Sequence, residues 1–339
     1  MPRAKFIYQE YESSTSEVIM REELLSKVME VLHEGGFVLS ERCSTKSFDF
    51  AARREDVLLL VKVLHNIDAF SEDAAIGIKR AAFCLLASPL LVGERKGSVP
   101  LEDGVVYRRH GVIAVNVNTL RDYFVEHIKP YVYCAPGGLY VNIDGEEMRR
   151  ARERKNLSLG DIASELGLSR RCVLKYEEGM GASIEIALKI EEILETMLIK
   201  PLEITQKVDD TEIPRNLSDL SSLERYVLRM MAKLGFNVFE TIYTPFRAVS
   251  QHELDRILTS VMRSTRNLTK RARIVGSISY VTGTKSVFIV NGDIKRESLS
   301  NTALIRKDEL EQMRDVDDFT DVVEERLKAE AEHIEAFGS

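Results

Sequence analysis

The stretch from Met148 to Glu177 constrains this chain most, because it sets two N-capping serines and a glycine at fixed intervals among apolar residues of helical period. Ser158 stands where an N-cap hydroxyl meets the free amides of a helix running from Leu159 to Leu166. Gly167 ends that helix, Leu168 is the apolar residue of the turn, and Ser169 caps a second helix from Arg170 to Glu177. At about 100° per residue, Val173 and Tyr176 fall on one side of the second helix, while Arg170, Arg171, Leu174 and Lys175 spread over the other. Ile162, Ala163 and Leu166 give the first helix an inward stripe, with Ala163 small enough for two helix axes to approach closely. The pattern predicts two short helices joined by a tight turn, with a basic face outward.

This spacing resembles the Cro/cI-type, or lambda-repressor-like, helix-turn-helix family. The resemblance implies that the second helix enters the major groove of double-stranded DNA with its N-terminal residues at base edges. Carried onto this chain, it makes Ser169, Arg170, Arg171 and Lys175 the candidate base contacts. An arginine paired bidentately with guanine contributes roughly 1–3 kcal/mol of discrimination against a wrong base. Arg149, Arg150, Arg152, Arg154 and Lys155 lie on an upstream helix expected to pack on the motif, and are candidates for phosphate contacts, with solvated surface charge as the alternative. The family usually carries Gln at the first position of the first motif helix; Leu159 stands there, so that clamp is missing. A protein-interaction or dimerisation role is the alternative reading of the motif.

The 339 residues, 44% of them hydrophobic, are enough for two or three domains. A formal net charge of -7 argues against coating DNA through bulk charge and favours localised, specific contact. Cys43, Cys84, Cys134 and Cys172 form no CxxC pair and have no histidine at zinc spacing, so they read as free thiols of a reducing compartment. With no signal-like or membrane-spanning apolar run, the expectation is a cytoplasmic protein with no membrane partner. No phosphate-binding loop, dinucleotide fingerprint, HExxH or G-x-S-x-G is present, so no cofactor, metal or catalytic residue is assigned, and no effector is identified.

An ordered series of landmarks recurs on either side of the motif. The first runs helix Glu17–Glu34, Gly36-Phe37-Val38, strands 47–52 and 56–64, a helix bearing Lys79-Arg80-Ala81, and strands 104–108 and 112–117. The second runs helix Leu223–Leu234, Gly235-Phe236-Asn237, strands 245–249 and 255–261, a helix bearing Lys270-Arg271-Ala272, strand 286–290 and an apolar stretch at 303–305. A duplicated α/β domain is expected, with two unrelated α/β domains as the alternative. The second of these helices carries a basic run, Arg263, Arg266, Lys270, Arg271 and Arg273, suited either to a phosphate backbone or to solvent. Expected boundaries are 1–135, 145–200 and 215–325, with Pro136-Gly137-Gly138 as one exit, residues 201–214 as a linker and 326–339 as a tail.

The first α/β segment resembles the restriction-endonuclease-like fold, which implies a metal held by an Asp and a second carboxyl-type residue, with a Lys two residues beyond. Asp49 and Lys62 fit two of those posts, but the position two before Lys62 is Leu60. In the second segment Arg247 and Val261 are expected at the corresponding places. Both segments therefore read as catalytically empty, with Glu30 or Asp68 as possible migrated ligands. The more economical reading is that Asp49 and Lys62 satisfy one another on an apolar sheet face.

Taken whole, α/β plus all-α, two α/β domains flank a helical domain. This order, with Ser47-Phe48-Asp49-Phe50 and the run Val61 to Asp68, resembles an archaeal family of HTH-type transcriptional regulatory proteins. The resemblance implies a sequence-specific DNA-binding regulator; the catalytically empty segments point away from an enzyme, and motifs of this type usually act as dimers, so a homodimer on pseudo-palindromic sites is expected. A metal-dependent nuclease targeted by its helix-turn-helix and a protein-interaction scaffold are the competing readings.

Overall fold

Strand Val57–Asn66 shows why the first α/β segment forms: Leu58 to Val63 are buried along its length, as a strand covered on both faces requires. It pairs antiparallel with Phe50–Arg54, Phe50 opposite Val61, and that strand pairs in turn with Val38–Leu39. The computed structural model describes the backbone of residues 3–209, 211, 220–263, 267–294 and 296–337, with side chains described between 19 and 332 within those stretches. Arg266 and residues 212–214 of the expected linker lie outside the described residues.

The chain divides into two units, one of residues 1–31, 64–69 and 91–204, the other of residues 32–63, 70–90 and 205–339. In the second unit, helix Ser222–Leu234 opens on a capping box in which Ser221 and Glu224 satisfy each other's backbone amides. Strands Asn237–Glu240, Ala248–His252 and Asp255–Met262 follow as an antiparallel meander. Helix Leu268–Thr282 then crosses over to the parallel strands Lys285–Val290 and Ala303–Arg306. Val227, Met231, Ile257, Val261, Val287 and Ile289 fill the core, closed by Phe319 and Val323 of helix Val316–Phe337. That helix continues through most of the stretch expected as a tail.

Within the same unit, segment 32–63 and 70–90 meets segment 220–337 crosswise. Helix Leu268–Thr282 lies against strand Phe50–Arg54, and helix Glu72–Leu85 lies against strand Ala248–His252. Polar contacts are made from both sides. The Glu41 amide donates to Ser277 Oγ at 2.8 Å and Arg273 pairs with Glu41 at 2.9 Å, while Arg80 donates to the Glu240 carbonyl and Ser47 Oγ donates to that of Tyr243 at 2.6 Å. Each segment thus offers its helix to the other's strands, the arrangement of an isologous interface within one chain.

In the first unit, strands Val105–Arg109 and Val112–Val115 form a hairpin. Val132–Ala135 pairs in parallel with Val105–Arg109, then turns through Pro136-Gly137 into Gly138–Ile143. The Pro-Gly-Gly run therefore forms the turn of a hairpin. Gly138–Ile143 also pairs with Ala182–Ser183 and Ile199–Lys200, so the helical domain carries its own strands and departs from the all-α expectation. The physical reason is the alternation of Leu139, Val141 and Ile143, which gives the helices an apolar sheet face to cover. Among the described residues no helix is long and apolar enough to cross a membrane.

Candidate DNA-binding site

Four helices build the site: Gly145–Arg154, Leu159–Leu166, Arg170–Glu177 and Ile184–Leu194. The second and third form where the serines and glycine placed them. Ser158 accepts from the Asp161 amide at 3.2 Å, and Asp161 returns the bond to the Ser158 amide at 2.6 Å. Those bonds hold the Asp161 carboxyl below the usual carboxylate range. Gly167 takes the left-handed conformation at φ 66°, and the Leu168 amide closes on the Ala163 carbonyl at 2.9 Å. Ser169 accepts from the Cys172 amide at 3.2 Å.

Ile162, Ala163, Leu166, Val173 and Tyr176 are buried as their spacing required. Met148 and Ala151 from the upstream helix join the same core, as do Ala187, Ile190 and Leu194 from the fourth helix and Val141 and Ile143 from the strands. Leu159 packs against this core, so the residue standing in the family's Gln position contributes apolar contact. Gly145 starts the upstream helix so close to the end of the third that a Cβ there would lie 2.3 Å from the Glu177 carbonyl oxygen.

The candidate base contacts Ser169, Arg170, Arg171 and Lys175 are all exposed on the third helix. They are not equivalent. Arg170 folds back on the first motif helix, its Nε 2.8 Å from where a Gly160 Cβ would sit, and its charge helps hold the Asp161 carboxyl down. Arg171 and Lys175 form no ion pair among the described residues and extend from the helix unengaged. The upstream candidates already have partners: Arg150 pairs with Glu146 at 3.2 Å, Arg154 with Glu147 at 2.8 Å, and Arg149 approaches Glu177 at 3.4 Å. The Arg150 and Arg154 pairs are exposed and worth only about 0–1 kcal/mol, so their exchange for a phosphate is inexpensive, whereas the Arg149 contact is to the buried Glu177.

Arg152, grouped at first with the phosphate candidates, turns inward. Its Nε and Nη2 hold the two oxygens of Glu177 at 2.6 and 3.2 Å, and another nitrogen reaches the Leu157 carbonyl at 3.1 Å. Lys155 reaches the Ile193 carbonyl at 3.1 Å and pairs with Glu195. Sequence reasoning missed Glu177 as a structural residue, although it follows Val173 by four positions and so falls on the inward stripe. It missed Glu191 too, whose Oε1 accepts from the Leu198 and Ile199 amides.

Asp49 and Lys62, the nuclease-like pair, are both buried and 3.1 Å apart. Lys62 also donates to the Thr45 carbonyl at 2.6 Å, and the second Asp49 oxygen accepts from the Val63 amide at 2.8 Å. In the second segment matching backbone bonds, Asp49 to Val61 and Arg247 to Thr259, place Arg247 where Asp49 stands. The residue opposite Arg247 is then Ser260, not Val261, because Ala248 pairs with Thr259.

The fold and the site define a helix-turn-helix protein of the Cro/cI type, and a family model described as helix-turn-helix matches residues 148–196. Residues 21–130 match a PD-(D/E)XK superfamily domain. A protein of Methanocella arvoryzae named "Putative HTH-type transcriptional regulatory protein" is 44% identical over 311 residues, covering 89% of this chain and 96% of its own. Proteins of the same name description from Methanosarcina acetivorans and Natronomonas pharaonis are each 41% identical over 319 residues, covering 90% and 91% of this chain and 97% and 99% of theirs. The chain belongs to this archaeal family. No solved structure matches it.

Proposed function

We propose that this protein is a sequence-specific DNA-binding transcriptional regulator that lays helix Arg170–Glu177 in the major groove and acts as a homodimer. The observation that carries the reading is the exposed, unpaired basic edge of Arg171 and Lys175 on a helix whose other face is locked into the core. Arg149, Arg150 and Arg154 flank it as phosphate contacts. The names of the relatives and their near-full-length similarity support the same conclusion.

The α/β segments have no catalytic part in this reading. Against a metal site, both Asp49 carboxylate oxygens are engaged by Lys62 and the Val63 amide, and the apolar Leu60 stands in the second ligand's place. The two segments read as one duplicated domain with boundaries near 135 and 215, and their crosswise packing gives the duplication a structural task.

Selection of bound duplexes from a random pool at about 150 mM salt with Mg²⁺ tests the proposal, since that salt suppresses purely ionic binding. An intact, enriched pseudo-palindrome is expected. Arg171→Ala should cost about 1–3 kcal/mol at one base position, whereas Arg150→Ala should weaken all sequences alike and reduce the salt slope by about one. Cleaved duplex would replace the regulator with a nuclease, and no enrichment would favour a scaffold.

A further inference from the structure

A cavity of about 390 Å³ opens in the second α/β segment, lined by Glu224, Arg247, Arg263 and Arg271 with Ser221 and Met262. It lies beside Arg247, the residue that stands where the first segment carries Asp49. Three guanidinium groups face one carboxylate there, leaving two positive charges in excess. The carboxylate is already committed: Glu224 Oε1 accepts from Arg247 at 2.5 Å and Oε2 from the Ser221 amide at 2.9 Å. Arg271 is half-buried over the Phe288 ring, 5.9 Å from its centroid, and forms no ion pair among the described residues. Burial and the neighbouring Arg247 push its pKa down, with the Glu224 carboxylate opposing them only in part.

We infer that this cavity binds a small phosphate-bearing molecule through Arg247, Arg263 and Arg271. A planar guanidinium matches phosphate oxygens in bidentate fashion, and three of them around one recess surround a compact anion. The volume falls in the range of small-molecule pockets, about 300–1,000 Å³, and a recess admits a free phosphate more readily than it reaches a duplex backbone. The site is independent of the recognition helix and of the regulator reading.

Titration calorimetry of the full chain with inorganic pyrophosphate and with AMP is the test. Saturable binding is expected for at least one of them, weakened at least tenfold in Arg271→Gln and strengthened in Glu224→Gln, which removes the competing carboxylate while keeping a capping side chain. Arg171→Ala should leave this binding unchanged, so failure of the DNA reading and failure of this one are separable. Absence of saturable heat with both probes, or equal binding by wild type and Arg271→Gln, would overturn the assignment. So would a uniform loss of duplex affinity in Arg271→Gln without any loss of pyrophosphate or AMP binding, which would make the arginines DNA-backbone contacts.

Discussion

Arg152 and Glu177 form a two-pronged ion pair, at 2.6 and 3.2 Å, that ties the last residue of the recognition helix to the helix preceding the motif. Both side chains are largely withdrawn from water, at 14% and 1% exposure. Their mutual charge compensates a desolvation that neither bears alone. Arg152→Ala should destabilise the protein by up to about 3–5 kcal/mol in chemical denaturation, because it leaves the buried Glu177 carboxylate with the longer 3.4 Å contact to Arg149 in place of its two-pronged partner. A double Arg152→Met, Glu177→Leu variant should recover most of that loss. Recovery of stability without recovery of DNA affinity would assign the pair to aiming the helix.

Gly145 sets how closely that upstream helix meets the recognition helix. With a Cβ due 2.3 Å from a backbone oxygen, Gly145→Ala must push the two helix ends apart. A loss of about 1–3 kcal/mol is expected, read as a lowered melting temperature.

Asp49 and Lys62 behave in this structure as a satisfied buried pair, and stability is the property that separates this from catalysis. Asp49→Ala should cost about 3–5 kcal/mol by leaving Lys62 buried beside apolar neighbours, while Asp49→Leu combined with Lys62→Met should be far milder. A site kept for metal chemistry would instead show a divalent-ion-dependent melting temperature in wild type, lost in Asp49→Ala.

Burial, reinforced by the Asp49 carboxylate, pushes the Cys43 thiol up to about 12, and burial pushes Cys84 up to about 11, both from a usual value near 9. Folding therefore favours the protonated thiols. Their contribution is fully present below pH 9 and is lost as pH rises through the window from 9 towards 11 and 12. Denaturation midpoints should fall across that window and hold up better in Cys43→Ser. At pH 8 both thiols should alkylate at least about a hundredfold more slowly in the native protein than in urea.

Much of the recognition domain was legible from local chemistry. Ser158, Gly167 and Ser169 announce their caps within a few residues, and the stripe Ile162, Ala163, Leu166, Val173 and Tyr176 follows from helical period alone. Exposure of Arg171 and Lys175 follows from the same wheel. The tertiary structure decided what depends on partners distant in sequence. It divided chemically similar arginines among roles, with Arg152 drawn inward by Glu177, Arg170 folded onto Gly160, and Arg171 left facing solvent. It made Pro136-Gly137 the turn of a hairpin, because strand Val132–Ala135 finds its ladder partners at Val105, some 27 positions back, and in the strand that follows. It also replaced Val261 with Ser260 opposite Arg247, a shift of one residue that only backbone pairing fixes. Helical period and capping are set within a turn or two of chain, whereas ion-pair partners and strand register are set by contacts that exist only once the chain has folded.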